Sequence, residues 1–362
     1  MTERRKFDHL QICLNEETQA TKITTGFEDI HLIHRAVPEI GREEIDLSVK
    51  LFNHRFSAPI IIEGMTGGES KHSKKINAVL ASAAEELGIG MGVGSQRAAL
   101  ENPKLIETYS IVREKAPSAF IIANIGATHL LNKDGVKDAE RAIEMIGADA
   151  LAIHLNPLQE AIQLEGETNF SGILNKIREL SERVVVPIIA KETGAGISSE
   201  DAVRLVEAGV SVIDVAGAGG TSWAAVEYHR ARKVGDELRC RMGEAFWNWG
   251  IPSAISLVEV AESVKASIIA SGGIRSGIDA AKALALKADL VGMAFPLLKA
   301  AAEGNLIKFL SFFIEELRNA MFLVGAKKVH ELRSVPVVIT GKTREWLMER
   351  GFDTKKYSRR GK

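Results

Sequence analysis

The sequence contains very little cysteine: Cys13 and Cys240 are its only two cysteines in 362 residues. Two thiols so far apart exclude a disulfide framework and a clustered zinc site, so each is expected to be a reduced thiol. No apolar run approaches the roughly 18 residues that a membrane-spanning helix needs. The opening segment Met1–Lys6 also lacks the apolar core of a signal peptide. We therefore expect a cytoplasmic protein that does not enter a membrane.

The chain also lacks an excess of charge of either sign, because 46 Lys and Arg residues face 47 Asp and Glu residues. A net charge of −1 argues against a general binder of nucleic acid or of membrane surfaces. The content of 46% hydrophobic and 26% charged residues is ordinary for a soluble globular protein.

From residue 58 onwards, short apolar runs alternate with amphipathic stretches, which predicts βα units and a parallel sheet. The eight runs are Pro59–Ile62, Leu87–Val93, Phe120–Ile125, Ala150–Leu155, Val184–Ala190, Val212–Val215, Ile268–Ala270 and Leu290–Met293. Predicted helices between them include Lys74–Leu87, Val136–Ile146, Ser199–Ala208, Ser253–Ser263 and Gly277–Leu286. Eight such units over roughly 240 residues fit a (β/α)8 TIM barrel, which typically takes about 250.

A doubly wound sheet is the alternative, but it needs a dinucleotide glycine fingerprint after its first strand, and Gly64–Gly68 does not match one. Polar groups stand at or just past the ends of seven runs, and a barrel gathers such ends on the face that carries the active site. These groups are Thr66, Ser95, Asn124, His154, Lys191, Thr221 and Ser271–Gly273. We therefore predict a barrel over residues 58–322, with an N-terminal extension (1–57) and a short C-terminal appendage with a basic tail (323–362).

Two segments outside the repeating pattern carry further predictions. The insertion Asp236–Gly250 contains two tryptophans and is expected to cover the barrel mouth or to pack between subunits. The basic run Lys355–Arg360 is predicted to be a solvated, mobile tail rather than a nucleic-acid-binding arm.

The segment His154–Glu160 places an imidazole, two carboxamides and a carboxylate directly at the end of a buried strand. Glu160 suits Mg²⁺, which is often held by one or two carboxylates together with substrate phosphates. Gln159 can donate and accept hydrogen bonds but is not an acid or a base. This pattern favours a phosphorylated substrate handled through a metal; the alternative is a loop whose side chains cap a helix.

Glycine-rich segments predict a second phosphate site. Ser271–Arg275 follows the seventh strand and Ala294–Phe295 follows the eighth, where barrels commonly bind phosphate. The alternative is that these segments form two tight turns without a ligand. The loop Ala216–Trp223 would let a flat ligand lie close to the backbone. Donors at the other strand ends complete a site that suits FMN better than a dinucleotide, with Lys191 stabilising negative charge on the reduced ring.

Candidates for binding a diphosphate are the basic residues Arg5, Lys6 and His9 near the N-terminus and the pair Gln96-Arg97. The planar guanidinium of arginine matches the oxygens of a diphosphate. No pattern places the N-terminus near the barrel mouth, and a solvated chain end is the alternative.

Together these residues resemble the type 2 isopentenyl-diphosphate isomerases, from about residue 4 to about 350. The motifs that carry the resemblance are Arg5-Lys6-x-x-His9, Met65-Thr66-Gly67-Gly68, Ser95-Gln96-Arg97, His154-x-Asn156-Pro157-x-Gln159-Glu160, Lys191-Glu192-x-Gly194 and the glycine loop to Trp223. The resemblance implies an enzyme of isoprenoid biosynthesis that uses FMN and Mg²⁺ to interconvert isopentenyl diphosphate and dimethylallyl diphosphate. NADPH or NADH would keep the flavin reduced without net redox change. A homotetramer or homo-octamer is expected, with the N-terminal extension (1–57) contributing to the substrate site.

The resemblance also implies roles for individual residues. FMN would be held by Met65, Thr66, Gly67, Ser95, Asn124, Lys191, Thr221, Gly272, Gly273, Ile274, Arg275, Ala294 and Phe295. The substrate would be held by Arg5, Lys6, His9, Ser95, Gln96, Arg97, Asn156 and Gln159, and Mg²⁺ by Glu160. Gln159, His154 and Lys191 are the catalytic candidates, with His154 orienting the diphosphate rather than acting as a base. Because Glu160 is the motif's only acid, the proton transfers are assigned to N5 of the reduced flavin.

Two other functions remain possible at this point. A flavin oxidoreductase acting on 2-hydroxy acids would need a His–Arg pair before the seventh-strand loop, which Ala266–Ala270 lacks. A flavin oxidoreductase acting on purine nucleotides would need a nucleophilic cysteine after the sixth strand. Cys240 is in that region, but Leu238–Met242 around it has no glycine loop. The second possibility is a non-catalytic flavoprotein or a phosphate-binding scaffold.

Overall fold

Eight parallel strands close into a barrel in the computed structural model. The structure describes residues 2–67 and 70–361, and for residues 2–4, 70 and 71 it describes the main chain alone. The strands are β1 (Ile30–Leu32), β2 (Val49–Leu51), β3 (His54–Phe56), β4 (Ile60–Ile62), β5 (Gly90–Gly92), β6 (Ile121–Gly126), β7 (Ala150–Leu155), β8 (Ile188–Glu192), β9 (Val212–Asp214), β10 (Ser267–Ala270), β11 (Leu290–Met293) and β12 (Val337–Ile339). Strands β4 to β11 pair in chain order, and β11 closes the barrel on β4. The predicted (β/α)8 barrel is therefore confirmed.

Helices cover the barrel and extend beyond it at both ends of the chain. They are α1 (Thr2–Asn15), α2 (Ser70–Leu87), α3 (Arg97–Glu101), α4 (Glu107–Lys115), α5 (Gly135–Ile146), α6 (Pro157–Ile162), α7 (Ile173–Ser181), α8 (Ser199–Glu207), α9 (Trp223–Val234), α10 (Glu237–Ala245), α11 (Ser253–Ser263), α12 (Gly277–Ala285), α13 (Phe295–Glu303), α14 (Leu306–Val324), α15 (Gly341–Glu349) and α16 (Lys355–Ser358). No helix within the described ranges has the length and apolar character needed to cross a membrane.

Most predicted elements lie within a few residues of the observed ones, and among the strands the largest shift is at β8. The strand begins at Ile188 rather than Val184, because Val185 is fully exposed in the turn after α7. It also continues through Lys191 to Glu192, so Lys191 lies within the strand and not after it.

Strand alternation explains how the site is positioned. Successive side chains of a strand point to opposite faces, and Ile122, Ala152 and Ile189 belong to the cluster inside the barrel, which is separate from the cluster under the helices. Two residues further along the same strands come Asn124, His154 and Lys191. The alternation therefore directs these three side chains into the barrel near its mouth.

The opposite end of the barrel is closed by the β2–β3 hairpin. Phe56 of β3 is fully buried and its ring packs 5.3 Å from that of Phe120, at the bottom of the inner cluster. Apolar side chains therefore fill this end, whereas the polar strand-end groups stand at the mouth.

The two chain ends pair with each other beside the barrel. Strand β1 from the extension lies antiparallel to β12 from the appendage, with Ile30 opposite Ile339. The prediction of a mobile basic tail is wrong: Tyr357 is fully buried and Lys356 forms an ion pair with Glu262. A tyrosine among the basic residues supplies the apolar surface that holds the tail in place.

Candidate active site

A cleft of about 1700 Å³, part of it open to solvent, occupies the mouth of the barrel. Its walls are the carboxyl ends of the barrel strands and the helix α1, which lies over the mouth. Nearly all the predicted site residues line it: Arg5, Lys6, His9, Met65, Thr66, Gly67, Ser95, Arg97, Asn124, His154, Asn156, Gln159, Glu160, Lys191, Thr221, Gly272, Gly273, Ile274, Arg275, Ala294 and Phe295. Gly68, part of one motif, lies outside the described residues.

Gln96 is the exception, since the structure does not bring it to the cleft. Its side chain is fully buried, donates to the main-chain oxygen of Ala142 at 2.8 Å and accepts from the main-chain nitrogen of Asn124 at 2.9 Å. As a correction to the predicted substrate contact, Gln96 ties the loop after β5 to β6. Its neighbours Ser95 and Arg97 face the cleft instead.

His154 is held as a neutral imidazole. Burial, aided by the positive charges of Lys6 and Lys191, lowers the pKa of His154 to about 3. Its Nδ1 lies 2.8 Å from Asn124 Oδ1, and Asn124 is oriented by donating its own amide to the Val93 oxygen. We therefore assign the proton to Nδ1, which leaves the Nε2 lone pair as an acceptor.

The side chains of the segment after β7 bond to one another. Asn156 Nδ2 donates to Gln159 Oε1 at 3.1 Å and to Glu160 Oε1 at 3.0 Å, and the start of α6 at Pro157 sets this spacing. Asn156 Oδ1 is buried and has no hydrogen-bond partner among the described residues. Gln159 Nε2 in turn donates to Glu227 at 3.2 Å.

Helix α1 brings three predicted residues to the mouth. Lys6 Nζ donates to the main-chain oxygen of Ser95 and to Tyr109 Oη, and burial lowers the pKa of Lys6 to about 7. His9 Nε2 donates to Glu227 Oε1 at 2.8 Å. The N-terminal segment is thus a wall of the cleft, which the resemblance implied but hydrophobic periodicity did not indicate.

Three carboxylates of this site were missed by the sequence reasoning. Glu227, inside α9, contacts both His9 and Gln159. Glu63 and Asp214 lie 3.0 and 2.8 Å from Lys191 Nζ. For the last two a signal existed, because each is a charged residue in or directly after an apolar run.

Arg97 and Glu160 are connected through Glu167. Arg97 pairs with Glu167 at 2.7 Å and with Glu101 at 2.8 Å. The main-chain nitrogen of Glu167 donates to Glu160 Oε2 at 2.7 Å. No ion pair of Glu160 with Lys or Arg occurs among the described residues, and no cluster there combines three or more His, Cys, Asp or Glu side chains as metal ligands.

The loops after β9 and β10 approach each other at glycine. A Cβ on Gly220 would lie 2.5 Å from the main-chain nitrogen of Gly273, so a side chain there would force the loops apart. Gly273 itself has φ +71°, a left-handed conformation that favours glycine. Within the described part of the chain, the main-chain N–H groups of Gly273 and Ile274 donate no hydrogen bond. Such free N–H groups suit a phosphate.

The insertion after α9 borders this region. Trp247 Nε1 donates to the main-chain oxygen of Gln19 at 2.9 Å, and Gln19 Oε1 accepts from Arg275 at 2.7 Å. Trp247 and Trp249 also line a small cavity beside the Gly219–Trp223 loop. The insertion Asp236–Gly250 therefore lies at the edge of the mouth, which is consistent with the expectation that it covers the mouth.

Known proteins resemble this chain both in sequence and in fold. The sequence model of the FMN-dependent dehydrogenase family matches residues 1–104 and 156–338. The chain is 55% identical to the isopentenyl-diphosphate delta-isomerase of Methanothermobacter thermautotrophicus, over 98% of this chain and 99% of that one. It is 53% identical to the enzyme of that name from Pyrococcus furiosus, over 96% of this chain and 89% of that one.

Solved structures with a similar fold include a mandelate oxidase with (S)-2-phenylpropionate, at a TM-score of 0.64 and 19% identity, over 93% of this chain and 97% of that one. A mandelate oxidase variant with a monooxide FMN adduct gives a TM-score of 0.63 and 19% identity, over 91% and 95%. At such low identity these likenesses support the barrel fold alone.

Proposed function

This chain belongs to the FMN-dependent dehydrogenase family and, within it, to the isopentenyl-diphosphate delta-isomerases, and we propose that it uses reduced FMN and Mg²⁺ to interconvert isopentenyl and dimethylallyl diphosphate. The observation that carries this proposal is the position of α1. It sets Arg5, Lys6 and His9 over the barrel mouth, opposite the His154–Glu160 motif. Cationic groups for a diphosphate thus face a polar motif across a single cleft.

The glycine loops fit FMN. The free N–H groups of Gly273 and Ile274 would hold its phosphate, and the strand-end residues from Met65 to Phe295 predicted above would surround its ring. When bound, reduced FMN supplies a group that can give a proton to the substrate alkene and take one back. NADPH or NADH is the proposed reductant, needed only to bring the flavin to its active state.

The chain's own groups would bind and orient the diphosphate. Arg5, Lys6 and Arg97 supply positive charge, and Ser95 and Asn156 supply hydrogen bonds. His154, neutral and bonded through Nδ1, would orient ligands through Nε2 rather than remove a proton. Lys191 would favour negative charge on the flavin ring.

Mg²⁺ also fits the residues present. Glu160 lines the cleft, and Asn156 Oδ1 is a buried oxygen without a partner among the described residues. Mg²⁺ takes oxygen ligands and commonly needs only one or two carboxylates beside substrate phosphates and water. Bound there, it would neutralise diphosphate charge. We expect Glu160→Gln to raise the Mg²⁺ concentration needed for half-maximal activity at least tenfold, whereas Glu165→Gln, just after α6, should leave it unchanged. An unchanged metal titration in Glu160→Gln would refute the assignment.

We propose that Gln159 assists the proton-transfer step without exchanging a proton, since an amide is neither an acid nor a base. Its amide links Asn156 to Glu227 and can orient the alkene against the flavin. We expect Gln159→Ala to lower kcat with little change in the dissociation constant for isopentenyl diphosphate. Full kcat in this variant would remove Gln159 from the step.

The decisive experiment is isomerisation of isopentenyl diphosphate by the purified protein with FMN, Mg²⁺ and NADPH, without oxygen. We expect product with NADPH consumed once per flavin. Consumption in step with turnover would instead indicate an oxidoreductase, and bound flavin without product would indicate another ligand. Light scattering of the same sample would test the proposed tetramer or octamer.

A further inference from the structure

A buried cluster of three charged groups lies at the base of the cleft. Lys191 Nζ stands between Glu63 Oε2, at 3.0 Å, and Asp214 Oδ2, at 2.8 Å. The side chains are exposed by only 12%, 7% and 1%, for Lys191, Glu63 and Asp214 respectively. Two carboxylates and one ammonium would give this region a net charge of −1, which is unfavourable away from water.

The two carboxyl groups are not equivalent. Both oxygens of Asp214 have partners, because Oδ1 accepts from the Ser271 hydroxyl and Oδ2 from Lys191. Glu63 contacts Lys191 through Oε2 and lies within hydrogen-bond reach of the Asp214 carboxyl group, while its Oε1 is buried with no hydrogen-bond partner among the described residues. A buried carboxylate oxygen without a donor favours the protonated acid. Glu63, rather than Asp214, is therefore the group suited to hold a proton.

The electrostatics of the cluster support this assignment. Burial, together with the negative charge of Asp214, raises the pKa of Glu63 to about 8, although Lys191 opposes the shift. The same two carboxyl groups outweigh burial and raise the pKa of Lys191 above its ordinary value, so the lysine stays charged. Lys191 from β8 and Asp214 from β9 are the charged groups that face Glu63 within the described part of the chain.

The position of Glu63 links it to the cofactor site. It directly follows β4, lines the cleft together with Lys191, and precedes the Gly64–Gly67 segment expected to hold the flavin. A Cβ on Gly292 would lie 2.1 Å from Glu63 Oε1, so glycine is needed there to leave room for this carboxyl group. While Glu63 is ionised, the two carboxylates together more than cancel the charge of Lys191.

We propose that Glu63 is a positioning residue whose protonated form makes the charge of Lys191 available to the reduced flavin. In alkaline solution, where Glu63 is otherwise ionised, it takes up one proton from solvent when the flavin is reduced. The reductant supplies the electrons to the flavin, and the solvent proton converts the Glu63 carboxylate to the acid. Reoxidation returns that proton. The inference relies on FMN as the proposed cofactor, but it does not depend on which reaction the enzyme catalyses.

The test counts protons. FMN-loaded protein is reduced with dithionite in weak buffer containing a pH indicator, and protons bound per flavin are compared for wild type and Glu63→Gln between pH 6 and 10. Near pH 6 Glu63 already holds its proton, so we expect equal counts. Above pH 8 we expect wild type to bind up to one proton more per flavin than the variant.

Two further variants separate this role from a structural one. Asp214→Asn removes the negative charge that helps to raise the pKa of Glu63, so proton uptake per flavin should start to increase at a lower pH than in wild type. This comparison needs only wild type and Asp214→Asn, so it stands even if Glu63→Gln does not fold. Glu192→Gln removes a neighbouring buried carboxyl group. Burial raises the pKa of Glu192 to about 7, but this side chain accepts hydrogen bonds from the N–H groups of Thr193 and Gly194 and forms none with Lys191. We expect it to behave as wild type.

Three results would overturn the proposal: equal proton counts in wild type and Glu63→Gln at every pH, loss of the extra proton in Glu192→Gln instead, or an unchanged onset in Asp214→Asn. Normal proton uptake without isomerase activity would overturn the proposed reaction and leave this inference intact. Wild-type protein that retains no FMN would overturn the proposed cofactor and this inference together.

Discussion

Replacing Glu227 by glutamine tests how α1 is held over the barrel mouth. Glu227 is 1% exposed within α9. Its Oε1 accepts from His9 at 2.8 Å and from Gln159 at 3.2 Å, and its Oε2 accepts from Arg230 at 2.7 Å. Glutamine keeps the shape but removes the charge, and it presents an N–H group to one of these donors. We therefore expect Glu227→Gln to weaken the docking of α1.

The magnitude follows from the pKa of this carboxyl group. Burial alone would raise the pKa of Glu227, but His9 and Arg230 outweigh it and hold the pKa near 2, below the ordinary 4.5. The gap of about 2.5 corresponds to about 3 kcal/mol of folding free energy. Because the pKa is depressed in the folded state, this stabilisation is complete above about pH 4.5 and is lost as the pH falls towards 2. Arg230 keeps Glu165 as a partner, at 2.9 Å, so about 3 kcal/mol is an upper limit.

The assay is urea unfolding of wild type and Glu227→Gln at pH 7 and at several values down to about pH 3. We expect a loss of up to about 3 kcal/mol at pH 7 that shrinks as the pH falls. Glu165→Gln is the matched control, since it pairs with the same arginine but is 37% exposed, and it should cost no more than about 1 kcal/mol. A loss below about 0.5 kcal/mol for Glu227→Gln at pH 7, or one that does not change with pH, would refute the reasoning.

Three other variants test separate parts of the cleft. Because burial lowers the pKa of Lys6 to about 7, KM for isopentenyl diphosphate should rise above that pH, and a pH profile of Lys6→Met should lack the rise. Gly220→Ala would set a Cβ 2.5 Å from the main-chain nitrogen of Gly273, so the variant should lose most of its FMN on gel filtration. The control is Gly304→Ala, whose backbone has φ +74° but whose added Cβ would meet no atom within 4 Å; it should retain its FMN. Glu167→Gln frees Arg97 from one ion pair and should strengthen inhibition by inorganic pyrophosphate about two- to fivefold; unchanged inhibition would contradict that role.

The barrel could be predicted from the sequence because its signal is local. Eight apolar runs separated by amphipathic stretches predict βα units whatever their ligands, and β7 and β11 match the predicted bounds residue for residue. The shift of β8 arose because an apolar run does not show where hydrogen bonding starts. In Val184–Ala190, the first residues belong to a turn that leaves Val185 exposed. Apolar character predicts burial only where the backbone is already in the sheet.

Hydrophobic periodicity could not predict the position of α1, because that position depends on contacts between residues far apart in the chain. Only the resemblance implied that residues of this segment reach the substrate site. His9 and Glu227 are separated by 218 positions, and neither is unusual in its own segment. The same limit explains Gln96, which belongs to a recognisable motif but turns inward to bond with Ala142. A motif shows which residues stand together, whereas the direction of each side chain depends on the neighbouring strand.

Unlike the position of α1, the carboxylate partners of Lys191 could have been predicted from the sequence by a physical argument. An ammonium at the end of a buried strand needs a carboxylate partner, since a charge buried without one is costly. Among the eight apolar runs and the residues directly after them, the only carboxylates are Glu63 and Asp214. Strand alternation sends both inward, two positions after the inner residues Ile61 and Val212. A buried charge in a sequence is therefore best interpreted together with the group that must neutralise it.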